Sequence, residues 1–140
     1  MSTVALTAAR HKRDSHSWRN TTVAVEAFEK ARTRPNDVAF FLESEPDATY
    51  GSIADEARRL ISALLELGLG NGDVVSFQIP NWREGAVIDI AAAALGLVVN
   101  PIVPIYRDAE LRFILGDAKT RLMFIPQSFR SIDYLEMLLS

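Results

Sequence analysis

The sequence contains no cysteine, so it can form neither disulfide bonds nor thiolate metal sites. Its two histidines, His11 and His16, have no acidic partners at metal-ligand spacing, and we interpret them as solvated. Basic residues are also few for a nucleic-acid-binding protein, because 15 lysines and arginines against 18 acidic residues give a formal net charge of −3. We therefore expect no nucleic-acid partner, and the lack of cysteine fits a cytoplasmic location.

Long uninterrupted apolar runs are missing as well. The stretch 86–105 carries one charge, Asp89, and is as long as a membrane-spanning helix. However, Gly96, Pro101 and Pro104 interrupt it, and an alanine-rich half gives way to β-branched residues. We interpret this stretch as a helix, a turn and a buried strand, and we predict no transmembrane segment.

The first twenty residues differ in composition from the rest of the chain. Arg10, Lys12 and Arg13 cluster there, and no acidic residue precedes Asp14. A weak organelle-targeting segment is one interpretation of this pattern. We favour a flexible, solvated amino-terminal arm over residues 1–20, because no long apolar core of a secretory signal is present.

From residue 22 onward, helical and strand periodicities alternate along the chain. Ala24, Ala27, Phe28 and Ala31 form a helical stripe that Pro35 ends. The pattern then predicts a hairpin beginning with the strand 38–43, a helix capped by Ser52, a strand 74–79, a helix capped by Asn81, a strand 97–105, a helix capped by Asp108, a strand 121–126 and a last helix from Ser128. Such alternation predicts an α/β fold with a partial parallel sheet, flanking helices, an amino-terminal helix and a β-hairpin.

The segment "GLGNGD", residues 68–73, contains three glycines at alternate positions and raises the question of a phosphate-binding loop. A phosphate loop runs from a strand into a helix, so that the helix N-terminus faces the phosphate. This segment runs from a helix into a strand. We therefore predict a helix stop at Gly68, a turn at Asn71-Gly72 and a strand start at Asp73.

No residue is assigned a catalytic, cofactor-binding or metal-binding role from the sequence. We expect Tyr50 and Trp82 to pack, although either could line a ligand site, and we expect Asp73 to close a turn. Asn100 lies between buried positions and needs hydrogen-bond partners, or it lies near a substrate or at a bulge beside Pro101. The remaining candidates are interpreted as surface charge at a helix start or in a solvated loop: Arg107, Asp108, Glu110, Asp117 and Lys119.

The order of these signals resembles the opening region of adenylate-forming acyl-CoA ligases, the AMP-dependent synthetase and ligase family. The resemblance runs through "ATYGSIADEARRLISALLELGLGNGDVVSFQIPNW", the alanine-rich helix before Gly96, and "NPIVPIYRDAELRFILGDA". It is nearest to the branch that includes cyclohexanecarboxylate-CoA ligase and medium-chain acyl-CoA synthetases. Two departures, Ser52-Ile53 in place of Glu-Leu and Leu97 in place of alanine, weaken the match slightly.

The resemblance implies that residues 21–140 are an incomplete N-terminal subdomain of an AMP-binding ligase domain. The complete enzyme would use ATP, Mg²⁺ and CoA to convert a carboxylic acid into an acyl-adenylate and then an acyl-CoA. Its phosphate-binding loop and catalytic lysine have no counterpart among Lys12, Lys30 and Lys119. We therefore expect no cofactor site and no catalysis in this segment, and its partner would be the remainder of the ligase domain.

Physical features of the chain agree with a fragment. The ending "DYLEMLLS" lacks a helix-stop glycine, the helix 82–95 is apolar almost all round, and a three-stranded parallel sheet has open edges. Such a chain would expose apolar patches and self-associate. Two alternatives remain open: a stand-alone, non-catalytic α/β domain that binds small molecules or other proteins, and a decayed reading frame.

Overall fold

A computed structural model describes residues 21–43 and 46–139 of the chain. The arm predicted for residues 1–20 lies outside the described residues. The helices are α1 (Val23–Thr33), α2 (Tyr50–Glu66), α3 (Arg83–Leu95), α4 (Asp108–Asp117) and α5 (Tyr134–Leu139). The strands are β1 (Val38–Phe40), β2 (Ala48–Thr49), β3 (Val74–Phe77), β4 (Val98–Pro101), β5 (Leu122–Phe124), β6 (Ser128–Phe129) and β7 (Ile132–Asp133).

The central sheet is parallel and has the strand order β4-β3-β5. Val75 of β3 lies between Val99 of β4 and Leu122 of β5, so β3 is the inner strand. The chain therefore crosses from β3 to β4 in one direction and from β4 back over β3 to β5 in the other. Because such crossovers are right-handed, α3 and α4 belong on opposite faces of the sheet. The predicted α/β fold with a partial parallel sheet is confirmed.

Helices α1, α2 and α3 pack against one another beside the sheet. Their contacts are apolar, and Ala24 of α1, Ala57 of α2 and Ile90 of α3 are buried together there. On the sheet side, Val75 is fully buried against Leu64 of α2 and the alanines of α3. The alanine-rich sequence of α3 thus serves close packing on more than one side, as its almost entirely apolar surface predicts.

The amino-terminal hairpin is a separate two-stranded antiparallel unit. Strand β1 pairs with β2, which leads directly into α2. Ala48 is buried in the cluster formed by the three helices, so the hairpin packs on the helical layer and does not extend the parallel sheet. The predicted hairpin is confirmed, with a shorter first strand than the sequence pattern indicated.

Two predicted helix starts are wrong by a few residues. Local hydrogen bonds explain the difference between the predicted and the observed starts. Helix α2 is capped by Thr49, whose hydroxyl accepts from the Ser52 backbone N–H at 3.2 Å, while Ser52 Oγ accepts from the Thr49 N–H at 3.1 Å. Ser52 is therefore the reciprocal partner of the cap. Helix α3 is preceded by Trp82 and has no side-chain cap, so the predicted cap at Asn81 is wrong.

The last two helix starts also differ from the prediction. Helix α4 already includes Asp108, and the carboxylate of Glu110 accepts from the Arg107 backbone N–H at 3.1 Å. The helix predicted from Ser128 is instead a short hairpin, β6–β7, in which Arg130 has a left-handed φ of 55°. Helix α5 follows only at Tyr134.

The stretch 86–105 forms the predicted order of helix, turn and strand, but the strand is not buried as predicted: it is shorter than 97–105 and lies at the edge of the sheet, with Val98 51% exposed. Helix α3 ends at Gly96, whose φ is 68°, and β4 follows. Within residues 21–43 and 46–139, no helix is long and apolar enough to cross a membrane.

Candidate functional site

The glycine segment 68–73 lies at the amino edge of the sheet and forms the predicted helix stop, turn and strand start. Gly68 and Gly72 have φ angles of 74° and 88°. Five of the six backbone N–H groups in the segment, those of residues 68, 69, 70, 72 and 73, donate to protein oxygens. A phosphate loop must keep such donors free for its ligand. The geometry is therefore that of a structural turn.

Asp73 closes this turn. Its carboxylate accepts from the Gly70 N–H at 2.9 Å and pairs with Arg121 at 2.7 Å. The hydrogen bond from the Arg121 guanidinium, and then that from the Gly70 N–H, hold the pKa of Asp73 below its ordinary value. The predicted turn-closing role of Asp73 is confirmed, and Arg121 is a partner that the sequence did not reveal.

The opposite, carboxyl edge of the sheet contains the candidate functional site. In open α/β sheets, ligands bind in crevices outside the carboxyl ends of the strands. Here β3 leads into α3 and lies beside β5, which leads into the β6–β7 hairpin. A cavity of about 600 Å³ opens at this edge, and its lining comes from the hairpin end and both loops: Phe41, Leu42, Glu43, Pro80, Asn81, Trp82, Arg83, Glu84 and Phe129. We call this cavity the crevice.

Aromatic side chains form one wall of the crevice. Trp82 contacts Phe129 edge to face, with ring centroids 5.8 Å apart, and remains 42% exposed. Trp82 therefore packs, as predicted, and also lines the opening. Tyr50, the other aromatic candidate, lies half-buried at the start of α2 and lines a separate groove near Ile53 and Ile90. The structure does not bring Tyr50 and Trp82 together.

The charged residues of the crevice carry both signs. Arg83 pairs with Glu56 of α2 at 3.4 Å, which fixes its guanidinium at the start of α3. Glu43 and Glu84 add acidic groups. Among the described residues, the lining contains no histidine, lysine or hydroxyl side chain, and its carboxylates, Glu43 and Glu84, are its candidate general bases. The crevice can hold a small polar-aromatic ligand or a protein segment.

Asn100 is half-buried, and its side chain has a hydrogen-bond partner on the neighbouring strand. Its side-chain N–H donates to Ser76 Oγ at 3.0 Å, and Ser76 Oγ lies 2.7 Å from the hydroxyl of Thr120. These three polar groups cross the sheet on the face opposite Val75, because Ser76 and Asn100 are register partners. The prediction that Asn100 needs partners is confirmed. The row joins β4, β3 and the residue pair that precedes β5.

The other charged candidates lie at helix ends. Arg107 donates through Nη1 to the carbonyl oxygens of Pro104 and Tyr106 at 2.9 and 2.8 Å. Asp108 and Glu110 lie in the first turn of α4. Asp117 ends α4, and Lys119 follows in a turn with a φ of 52°. Within the described ranges, no group of three or more His, Asp and Glu side chains could hold a metal ion.

Gln78 is a residue that the sequence reasoning missed. It is fully buried at the end of β3, and its Nε2 donates to the carbonyl oxygens of Val103 and Tyr106, each at 3.0 Å. Its signal in the sequence was a lone amide inside an apolar strand, "VVSFQI". The partners lie 25 and 28 residues away and could not be inferred from that pattern.

The chain is similar to known proteins in both sequence and fold. The sequence model of the family described as AMP-binding enzyme matches residues 27–139. The medium-chain fatty-acid–CoA ligase of Escherichia coli K12 is 29% identical over 122 residues, which cover 87% of this chain and 22% of that protein. The sulfoacetate–CoA ligase of Cupriavidus necator is 41% identical over 76 residues, covering 54% of this chain and 15% of that protein.

The solved structures agree with the sequence match. The N-terminal domain of FACL13 from Mycobacterium tuberculosis superposes with a TM-score of 0.68 and 27% identity, over 75% of this chain and 27% of that chain. This chain therefore spans about a fifth of the length of the curated relatives that it matches and about a quarter of that solved domain. The family match covers most of the chain and coincides with the α/β unit described above, so the chain belongs to the AMP-binding enzyme family.

Proposed function

We propose that residues 21–140 are an incomplete N-terminal subdomain of an adenylate-forming carboxylate–CoA ligase. The observation that carries this proposal is the family match over residues 27–139. The resemblance of the parallel sheet and its helices to the N-terminal domain of a longer relative supports the same interpretation. Because the chain spans 22% of the E. coli relative, the activity belongs to a longer protein in this proposal.

In the proposed complete enzyme, ATP and Mg²⁺ convert a carboxylic acid to an acyl-adenylate with release of pyrophosphate, and the CoA thiol then displaces AMP. Transfer of this kind needs positive charge and backbone donors around the phosphates. The segment 68–73 uses five of its N–H groups internally, and no lysine lies among the described residues that line the crevice. We therefore assign the groups that bind ATP and Mg²⁺ to the remainder of the ligase domain.

The segment itself is proposed to act as a scaffold without catalysis. It supplies a parallel sheet whose two edges are built differently, and a crevice at its carboxyl edge whose described lining offers carboxylates but no histidine, lysine or hydroxyl side chain. The named relatives act on acids as different as medium-chain fatty acids and sulfoacetate, so the acid substrate stays undefined. A cytoplasmic location stays a prediction.

Acid-dependent exchange of pyrophosphate into ATP tests the scaffold proposal. We expect no exchange by the purified 140-residue chain with Mg²⁺ and a panel of acids from acetate to decanoate. The E. coli medium-chain ligase, assayed in parallel with octanoate, is the positive control. Exchange by the isolated chain would contradict its non-catalytic role.

A second experiment separates the scaffold from a stand-alone binding domain. The coding DNA beyond Ser140 is sequenced and, where it continues, the longer protein is assayed for acid-dependent CoA thioester formation. We expect a Ser/Thr/Gly-rich loop and ligase activity in the longer protein. If the isolated chain is instead a monomer that melts cooperatively and binds a small molecule in the crevice, the stand-alone domain is supported.

A further inference from the structure

The loop after β4, residues 102–107, has an unusual hydrogen-bonding arrangement. Three of its carbonyl oxygens accept hydrogen bonds from side chains. Gln78 Nε2 donates to Val103 and Tyr106, and the Tyr134 hydroxyl donates to Pro104 at 3.2 Å. The Arg107 guanidinium also donates to Pro104 and Tyr106. Two side chains from other parts of the chain, Gln78 and Tyr134, and one from the loop itself, Arg107, therefore hold this loop.

Two of these donors, Gln78 and Tyr134, are fully buried. The orientation of the Gln78 amide follows from its partners: both are carbonyl oxygens, so the NH₂ group and not the oxygen must face them. Gln78 Oε1 has no hydrogen-bond partner among the described residues. A buried polar atom without a partner is costly, so Oε1 alone would disfavour an amide at this position. The two hydrogen bonds that Nε2 donates are therefore the reason for an amide here.

The inward carbonyls leave the side chains of the loop facing outward. Val103 is 50% exposed, Ile105 is 72% exposed and Tyr106 is 38% exposed. The backbone contributes a single turn bond within the loop, from the Tyr106 N–H to the Val103 carbonyl at 3.3 Å. A loop with so little internal bonding keeps one conformation only if its surroundings fix it.

We infer that Gln78 is a positioning residue for the loop 102–107. Its amide bridges the ends of the turn and fixes the outward presentation of Val103 and Ile105 beside the end of β3. The inference goes beyond the proposed function, because it concerns this chain whether or not a ligase is assembled from it. It predicts that loss of the amide releases this loop and leaves the amino edge of the sheet unchanged.

The unmodified protein offers the first test, because it contains only two glutamines, Gln78 and Gln127. Gln127 is exposed and serves as an internal control. In ¹⁵N NMR, we expect both side-chain amide protons of Gln78 to exchange with solvent at least about a hundredfold more slowly than those of Gln127. Equal exchange rates for the two side chains would overturn the inference.

The second test uses Gln78→Met, which keeps the length of the side chain and removes both polar atoms. We expect exchange of the Tyr106 backbone amide to rise by about tenfold or more, since its turn loses the bridge. The Gly72 amide, which donates to Gly96 at the opposite edge, is expected to keep its rate. An unchanged Tyr106 rate contradicts the inference, as does an equal rise at both amides, which indicates general destabilisation.

The third test uses the pH dependence of Gln78→Glu, with Gln127→Glu as the matched control for the added charge. An ionised carboxylate at position 78 would face two carbonyl oxygens, whereas a protonated carboxyl group can donate to one of them, so the pKa of the introduced side chain should be raised. Between pH 7 and pH 4.5, the unfolding equilibrium constant of Gln78→Glu should fall by about tenfold or more relative to Gln127→Glu. Parallel pH profiles of the two variants would refute the positioning role.

Discussion

Alanine substitution of the glycines in the segment 68–73 tests whether they serve backbone conformation. Gly68 and Gly72 have φ angles of 74° and 88°, whereas Gly70 has no positive φ. At all three positions, an added Cβ meets no atom within 4 Å. The three substitutions therefore differ only in the backbone conformation that alanine must adopt.

A left-handed conformation costs a residue with a Cβ about 1–2 kcal/mol. We expect Gly68→Ala and Gly72→Ala each to lower the free energy of unfolding by about that amount. Gly70→Ala is expected to stay within about 0.5 kcal/mol of the original protein, or to stabilise it slightly by restricting the unfolded chain.

Gly96→Ala is expected to cost about as much as Gly68→Ala or Gly72→Ala. Gly96 has a φ of 68°, so alanine there has the same conformational cost of about 1–2 kcal/mol. Its added Cβ would also meet Oδ1 of Asn71, but Asn71 is exposed and its side chain can turn away. The expected order of stability is therefore Gly70→Ala above Gly68→Ala, Gly72→Ala and Gly96→Ala.

Urea unfolding followed by far-ultraviolet circular dichroism measures this order. With a slope of about 1–2 kcal/mol per M, a loss of about 1 kcal/mol lowers the midpoint by about 0.5–1 M. The protein concentration must be one at which the midpoint no longer depends on concentration, because self-association stabilises the folded state. A cost for Gly70→Ala equal to that for Gly72→Ala would refute the conformational explanation.

Three further predictions concern caps and charges. Thr49→Ala should lower the free energy of unfolding in urea by about 1 kcal/mol, whereas Asn81→Ala should change it by less than about 0.5 kcal/mol. The reason is that, of these two residues, Thr49 caps a helix and Asn81 does not. Asp73→Asn should destabilise at neutral pH. Because the folded-state pKa of Asp73 is lowered, the stability that its charge contributes is lost as the pH falls through that lowered value. The difference in free energy of unfolding between Asp73→Asn and the original protein should therefore shrink in acid. An equal difference at neutral pH and at about pH 2.5 contradicts this. Asp89 is exposed at its surface but partly desolvated, which raises its pKa. Asp89→Asn should therefore stabilise slightly at neutral pH, and this advantage should fade as the pH drops through the raised pKa; a loss of stability at neutral pH contradicts this.

Most of the fold could be predicted because it depends on periodicity. The apolar stripe of α2 and the continuous apolar run of β3 are local patterns, and each appears in the structure with the expected buried face. The left-handed turns at Gly68 and Gly96 were likewise visible in the sequence, since few residues other than glycine adopt that conformation.

Helix starts were less predictable because several nearby residues compete for the same backbone donors. Thr49 and Ser52 are both good caps, and the choice depends on which N–H groups each hydroxyl reaches. At α3, Asn81 is exposed, and the chain turns through a Trp82 N–H bond to the Pro80 carbonyl at 2.7 Å. Propensity alone does not contain that geometry.

The candidate site depended still more on distant parts of the chain. The crevice joins the end of the first hairpin to the loops after β3 and β5, for example Phe41, Trp82 and Phe129. The adjacency of these loops depends on the strand order, which the sequence pattern left undefined. The structure brings the loops after β3 and β5 to one opening.

The two edges of the sheet differ in how freely their sequence can be redesigned. The amino edge depends on positive φ angles and on the packing of Gly96 against Asn71, so most substitutions there change the main chain itself. At the carboxyl edge, the buried side chains of Gln78 and Tyr134 donate hydrogen bonds to the main chain of the loop. The side chains of Val103 and Ile105 are exposed and take little part in that support. A library that varies these two exposed positions while keeping Gln78 and Tyr134 would alter the surface chemistry of the edge on an unchanged backbone.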